Sequence, residues 1–461
     1  MKFVFNLVYL LLLTVLSPWI AWRIVVQGKN RRGWKQKLFG MGPVRCGNNN
    51  GGKPCVWIHA VSVGEVNLLG PLLSEIDKRY PNFEIAISTT TETGFDLATR
   101  QFADRIVFFC PADFSWAVAN TISRLQPNLL LLTELELWPN LISVAKSRGV
   151  NVGLINGRVS EKSFRGYHRL KILVSRLLNK LSVACVQTES YAERLRQLGM
   201  EPSRIQVCGN MKFDCVCPST IGNGSDAGQA SRLAVLAQAA GIESNQQVFL
   251  AGSTQEHEDK LAIEVYEKLK PQYPELRLVL VPRHPDRCGR LASYLSSKGL
   301  SFSLRSQLNR QSNSQVEQLP AGPVGLERSI VVVDVIGELR DWWNLASVGY
   351  VGGSMGTRGG QNMIEPASCG VPICFGPNTE NFRDVVEQLL DANAARVVTD
   401  ADELLSFVKT SLDDLSIANA MGDRAKQIVQ TQVGATDRTI ECLSPLLPGP
   451  DVSNHPRTNA A

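Results

Sequence analysis

Apolar positions are distributed along this chain in two distinct ways. Residues 3–22, FVFNLVYLLLLTVLSPWIAW, are almost uninterruptedly apolar, with only Asn6, Thr14 and Ser17 as polar side chains. A run of roughly 20 such residues has the length of a membrane-spanning helix, and Trp19 and Trp22 near its end suit a water–lipid interface. From residue 55 onward the pattern changes to short apolar runs separated by amphipathic stretches. Runs at 56–59, 83–89, 105–111, 128–140, 150–157, 182–190 and 205–214 form one set; runs at 247–254, 276–285, 329–340, 347–354 and 371–377 form a second. Strand-length apolar runs interleaved with helical periodicity predict parallel α/β sheets. The chain is therefore expected to carry two α/β halves of similar size.

The boundaries follow from composition. Residues 1–24 are expected as the anchor helix, 25–218 as the first α/β domain, 219–246 as a Gly/Ser/Asn/Ala-rich linker, 247–445 as the second domain, and 446–461 as a tail rich in Pro and Asn. A polar loop is expected at 47–54 and another, inserted between strands, at 304–326. A cleaved signal peptide is the rival reading of the first segment, but its apolar part is usually shorter and ends at a small-residue site. Here the apolar run leads straight into Arg23, Lys29, Arg31, Arg32, Lys35 and Lys37, which predicts the remainder on the cytoplasmic side, facing anionic headgroups.

At 461 residues, 20% charged and 44% hydrophobic, the chain is globular, and its formal charge of +5 is modest. Eleven cysteines stand singly apart from Cys215 and Cys217, and the five histidines are dispersed. No CxxC pair or zinc-type spacing occurs, so reduced thiols and no metal site are expected.

In parallel sheets ligands sit beyond the carboxyl ends of strands, and His59, Ser62, Gly64, Glu65, Thr89 to Thr91, Glu134 and Glu136 all fall at such ends. Glu65, at a strand-to-helix turn, is a candidate general base; an acid that merely complements the helix dipole is the open alternative. Glu134 and Glu136 flank Leu135, and if the strand continues through them they share a face. Lys212 in GNMKFD, Asn156, Arg158, Arg283 and His284 are candidate anion or substrate contacts. The strand-like run Val348–Val351 enters a loop with glycines at 352, 353, 356, 359 and 360, followed by a helix expected over 362–369. Free N–H groups and a helix start there predict a phosphate site, with Glu365 placed for a ribose hydroxyl.

Several motifs in fixed order carry a resemblance. HAVSVGE (59–65), ELELWPN (134–140), NGRVSEKS (156–163), GNMKFD (209–214), PRHP (282–285), IGEL (336–339) and GGQNMIEPA (359–367) resemble those of 3-deoxy-D-manno-octulosonic acid (Kdo) transferases of lipopolysaccharide assembly. The resemblance covers nearly the whole chain. It implies a GT-B fold, two Rossmann-like domains facing a cleft, with no cofactor and no required metal. It implies inverting transfer of Kdo from CMP-Kdo to a lipid A precursor, lipid IVA, at the cytoplasmic face of the cell inner membrane, with no nucleic-acid partner. By the same resemblance Glu65 is the catalytic base, and Glu136 and Lys212 support the transition state. Pro282, Arg283, Ile336, Gly337, Glu338, Asn362, Met363, Ile364 and Glu365 then bind the CMP donor.

The chain departs from the family pattern at Leu135 (usually Thr), Gly157 (commonly Ala), Gln255 and Gln361 (both commonly His). Competing expectations are a GT-B enzyme with a UDP-linked donor, a sugar epimerase, and a membrane-tethered relative that binds nucleotide without turnover.

Overall fold

Side chains on a β-strand alternate between faces, so a strand that is apolar throughout must be covered on both. Leu129 to Leu132 illustrate this: Leu130 and Leu132 enter one apolar cluster with Trp57 and Val152, and Leu129 and Leu131 enter another with Val56 and Ile58. The computed structural model describes residues 2–25, 32–45, 53–216, 226–308 and 330–447, and these divide into two compact units. Each unit is built on a seven-stranded parallel sheet. The polar loop at 47–52, the linker start at 219–225, the insertion at 309–329 and the tail from 448 lie outside the described residues.

The first unit contains β1 (Cys55–His59), β2 (Glu84–Thr89), β3 (Ile106–Phe109), β4 (Leu129–Thr133), β5 (Asn151–Gly157), β6 (Val183–Val186) and β7 (Ile205–Val207). Their order across the sheet is β3-β2-β1-β4-β5-β6-β7. The chain winds outward from β1 and then crosses to β4 on its other side, which makes a switch point between β1 and β4. The second unit contains β8 (Gln247–Thr254), β9 (Leu276–Pro282), β10 (Phe302–Leu304), β11 (Ile330–Val332), β12 (Val348–Val351), β13 (Ile373–Phe375) and β14 (Ala395–Val397). Their order, β10-β11-β9-β8-β12-β13-β14, puts the equivalent switch point between β8 and β12. In each unit, the loops after these two strands are where chemistry is expected.

The C-terminal segment departs from the strand-order reading, which kept it with the second half through 445. Residues 432–447 belong to the first unit. Asp214 accepts from the N–H groups of Gly434 (2.7 Å) and Thr436 (2.6 Å), capping the helix Ala435–Leu443. Ala435, Ile440 and Leu443 of that helix complete the cluster beneath β1 and β4.

The N-terminal segment forms the helix Lys2–Val25, with Pro18 inside it. Asn6 is buried. Its Oδ1 accepts from the Ser115 N–H (3.0 Å) and the Asn140 Nδ2 (3.1 Å), and its Nδ2 donates to Ser115 Oγ (2.7 Å). The Tyr9 hydroxyl donates to Asp113 (2.9 Å), which also accepts from the N–H groups of Asn140 and Leu141. This helix is therefore docked on the first unit through its polar positions, while Leu7, Leu11 and Val15 face outward. Among the described residues no helix is long and apolar enough to cross a membrane. Of the basic flank, Arg32 pairs with Asp96 (2.5 Å) and Lys37 lies over the Phe109 ring (4.4 Å).

Candidate active site

In the first unit the β1 loop leads into the helix Val63–Arg79, with Ser62 at the N-cap and Glu65 in the first turn. Glu65 is 7% exposed. Its Oε2 accepts from the Val61 N–H (2.9 Å) and lies beside the Thr133 hydroxyl at the end of β4, and its Oε1 accepts from Ser62 Oγ (3.1 Å). Burial pushes the carboxyl above the ordinary carboxylate range, opposed by the hydrogen bonds from Thr133, Val61 and Ser62 and reinforced by the charge of Glu134. A base that takes a proton near neutral pH needs such a shift.

Glu134 and Glu136 do not continue β4, contrary to the expectation of a shared strand face. The strand ends at Thr133, Glu134 adopts φ 54°, and its N–H turns back to the Ile155 carbonyl (3.0 Å). This turn brings both acids near Glu65. Burial lifts Glu136 to about 7, the Glu65 charge adds to the rise, and the Trp138 indole N–H (2.8 Å) opposes it. Lys212 Nζ stands 3.9 Å from Glu134 Oε1. Asn156, a candidate substrate contact by sequence, serves the loop instead: at φ 52° its Oδ1 accepts from the Met211 N–H (3.0 Å), setting the backbone next to Lys212. His59 is fully buried beneath these loops with Nδ1 2.9 Å from Ser88 Oγ, and burial lowers it to about 4. It is a neutral packing residue at physiological pH.

The second unit repeats the device with a different outcome. Gln255 follows β8, and Glu258 stands three residues on, in the first turn of the helix Glu256–Leu269. Glu258 is fully buried. Its Oε2 accepts from the N–H groups of Gln255 (2.7 Å) and Gly353 (2.7 Å); its Oε1 accepts from Ser354 (3.0 Å), Met355 (3.0 Å) and the Tyr350 hydroxyl (2.9 Å). A carboxylate has about four lone-pair positions, so Glu258 is saturated. The first N–H groups of the glycine loop therefore serve an internal carboxylate rather than a free phosphate, which corrects the sequence reading of that loop. Glycine is still required there: a Cβ on Gly352 would lie 2.6 Å from Thr254 Cα across the switch point.

The helix after the loop is shorter than predicted, Ile364–Ser368. Asn362 Oδ1 accepts from the Ile364 N–H (3.1 Å) and its Nδ2 donates to Glu365 (3.1 Å). Burial raises Glu365, while Asn362 and the charges of Arg340 and Arg283 hold it down. Pro282 is buried at the end of β9, Arg283 and His284 are exposed, and Met363 is buried. Glu338 is held by Arg305 in a two-pronged pair (2.7 and 3.0 Å), beside Gly337 at φ 98° and an exposed Ile336. Thr133, Glu258, Arg305 and Arg340 escaped sequence reading. Only Glu258 left a signal there, the acid three residues after a strand-ending cap, as in Ser62 and Glu65.

Two parallel α/β units, each with an acid at its switch point, define a GT-B-type fold. The same fold occurs in UDP-GlcNAc 2-epimerase from Neisseria meningitidis (13% identity, 85% of this chain and 100% of that one, TM-score 0.53). It also occurs in a glycosyltransferase from Rickettsia africae (11% identity, 86% and 98%, TM-score 0.53). At these identities the likeness concerns architecture alone.

Sequence relationship is narrower. The 3-Deoxy-D-manno-octulosonic-acid transferase (kdotransferase) profile matches residues 32–215. The 3-deoxy-D-manno-octulosonic acid transferase of Bordetella pertussis is 31% identical over 450 residues, 95% of this chain and 98% of that one. That of Haemophilus influenzae is 27% identical over 394 residues, 85% and 87%. The chain belongs to the Kdo transferase family of glycosyltransferases.

Proposed function

We propose that this enzyme transfers Kdo from CMP-Kdo to a lipid A precursor, lipid IVA, in lipopolysaccharide biosynthesis, with Glu65 as general base. The observation that carries the assignment is the contrast between the two switch-point acids. Glu258 has every acceptor position filled. Among the described residues Glu65 Oε1 accepts only from the Ser62 hydroxyl, and it sits on a carboxyl raised by burial. Glu65 takes the proton of the acceptor hydroxyl. The hydroxyl oxygen bonds to the anomeric carbon, and the carbon–oxygen bond to CMP breaks with its electron pair leaving on the phosphate, inverting the centre. Lys212, fixed beside Glu134, supplies a cation in the first unit. Glu136, lifted to about 7 chiefly by burial and further by the charge of Glu65, is a second proton-handling group. In the second unit Arg283, near Glu365 and Arg340, is assigned to the donor phosphate. Asn362 and Glu365 are assigned to the ribose, and Pro282, 336–338, Met363 and Ile364 to the walls of the nucleotide site. Fixed charges that meet a leaving group cost no reorganisation at the moment of reaction.

The N-terminal helix is assigned to the cell inner membrane, with both units cytoplasmic. Supporting this, its outward face exposes Leu7 (61%), Leu11 (58%) and Val15 (72%) opposite the docked Asn6 and Tyr9. Protein lacking residues 1–22 is expected to leave the membrane fraction more readily, and unchanged association would remove this assignment.

The function is tested by incubating purified protein with CMP-Kdo and lipid IVA and weighing the products. Wild type is expected to add whole Kdo units. Glu65→Gln is expected to lose ~10²–10⁴ in rate, the usual worth of a positioned base, with CMP affinity retained. Full activity in that variant would sink the base assignment, and inhibition by UDP but not CMP would sink the donor.

A further inference from the structure

Cys185, Cys208 and Cys442 are separated by 23 and 234 residues, yet their sulfurs all lie within 4.8 Å of one another. Cys208 Sγ and Cys442 Sγ are 3.8 Å apart. They arrive from three elements: Cys185 from β6, Cys208 from the turn after β7, and Cys442 from the helix Ala435–Leu443 that returns to the first unit. Cys185 and Cys208 are buried and Cys442 is half-buried. A buried cysteine packs well as a small apolar residue, but packing alone does not require three thiols to point at one spot. Four-coordinate zinc with bonds of about 2.3 Å sets its sulfur ligands roughly 3.8 Å apart, the separation of the closest pair here.

We propose that Cys185, Cys208 and Cys442 form a three-thiolate zinc site that ties the returning C-terminal helix to the edge of the first sheet. Three thiolates around Zn²⁺ leave one net negative charge. Arg438 lies one turn before Cys442 on the same helix, and its Nε donates to the Cys208 carbonyl (2.7 Å). It thus places a fixed positive charge beside the site. On binding, the three thiols release their protons to solvent as their sulfurs bond to the metal. No histidine or carboxylate among the described residues joins the cluster, so water completes the coordination on the half-exposed side of Cys442. The site is independent of the transfer chemistry: it acts on the folding of the first unit.

The test uses the full chain, reduced with a phosphine, stripped with a chelator, and titrated with Co²⁺ and then Zn²⁺. The expected result is a near-ultraviolet thiolate-to-cobalt charge-transfer band that saturates at one ion per chain and is bleached by Zn²⁺. Zinc in excess is also expected to raise the thermal midpoint, as any ligand of the folded state must. Cys442→Ser, at the half-exposed position, is expected to lose the band and the thermal shift while keeping its far-ultraviolet circular dichroism; Cys208→Ala provides the same test from the buried side. Absence of a band in folded wild type overturns the proposal. So does a band that survives Cys442→Ser, because the ion is then held by other cysteines. Binding of Cu⁺ with exclusion of Zn²⁺ overturns the zinc assignment.

Discussion

Replacing Glu258 by alanine removes the acceptor from five donors at once: the N–H groups of Gln255, Gly353, Ser354 and Met355 and the Tyr350 hydroxyl. Each hydrogen bond to a charged group is worth ~1.5–3 kcal/mol, and orphaned buried donors retain their desolvation cost. These contributions do not add, because deleting the carboxylate also removes a charge that was expensive to bury. Breaking one side of a buried charged constellation typically costs ~3–5 kcal/mol, and that is the expected loss here. It is a large part of the ~5–15 kcal/mol that holds a domain folded. Urea unfolding followed by circular dichroism measures it: at an m-value of about 2 kcal/mol/M the midpoint falls by about 2 M. Glu258→Gln keeps one acceptor oxygen but turns an amide NH₂ toward donors, so its loss is expected to lie near that of alanine rather than wild type. A Glu258→Ala protein within ~1 kcal/mol of wild type would refute the reasoning, because the glycine loop would then hold its shape without its internal anion.

Thr133→Val removes a hydroxyl that holds Glu65 down, so the Glu65 carboxyl rises further. The acid limb of the pH–rate profile, where the base is lost by protonation, is expected to move to higher pH. Coincident profiles would separate Thr133 from the base. Glu136 rises from the ordinary carboxylate range to about 7 on folding. Its contribution to stability is therefore full below the unfolded value and is lost as pH climbs through about 7. Glu136→Gln is expected to raise the urea midpoint relative to wild type at pH 8 and to bring less benefit at pH 5.5. A gain independent of pH would show that packing, and not ionisation, is the cause.

The sequence by itself determined the two parallel α/β halves, because apolar runs of strand length must be covered on both faces and helices are the cover that βαβ connections supply. It also placed Glu65 at a strand end and, through the ordered motifs from HAVSVGE to GGQNMIEPA, pointed to the family. What it did not determine depends on contacts between distant segments. Glu65 and Glu258 occupy the same local position, an acid three residues after a strand-ending cap. Only the neighbouring strand decides that one meets a single threonine hydroxyl and the other a ring of backbone N–H groups. The reversal at Glu134 follows from a hydrogen bond to β5, which the local LTELEL pattern does not contain. The C-terminal helix joins the first unit because Asp214 caps it and the cluster under β1 and β4 accepts its apolar face. The same return brings Cys442 to Cys185 and Cys208. Spacing along the chain cannot reveal such a cluster, because its members become neighbours only when β6 has paired with β7 and the helix Ala435–Leu443 has packed against them.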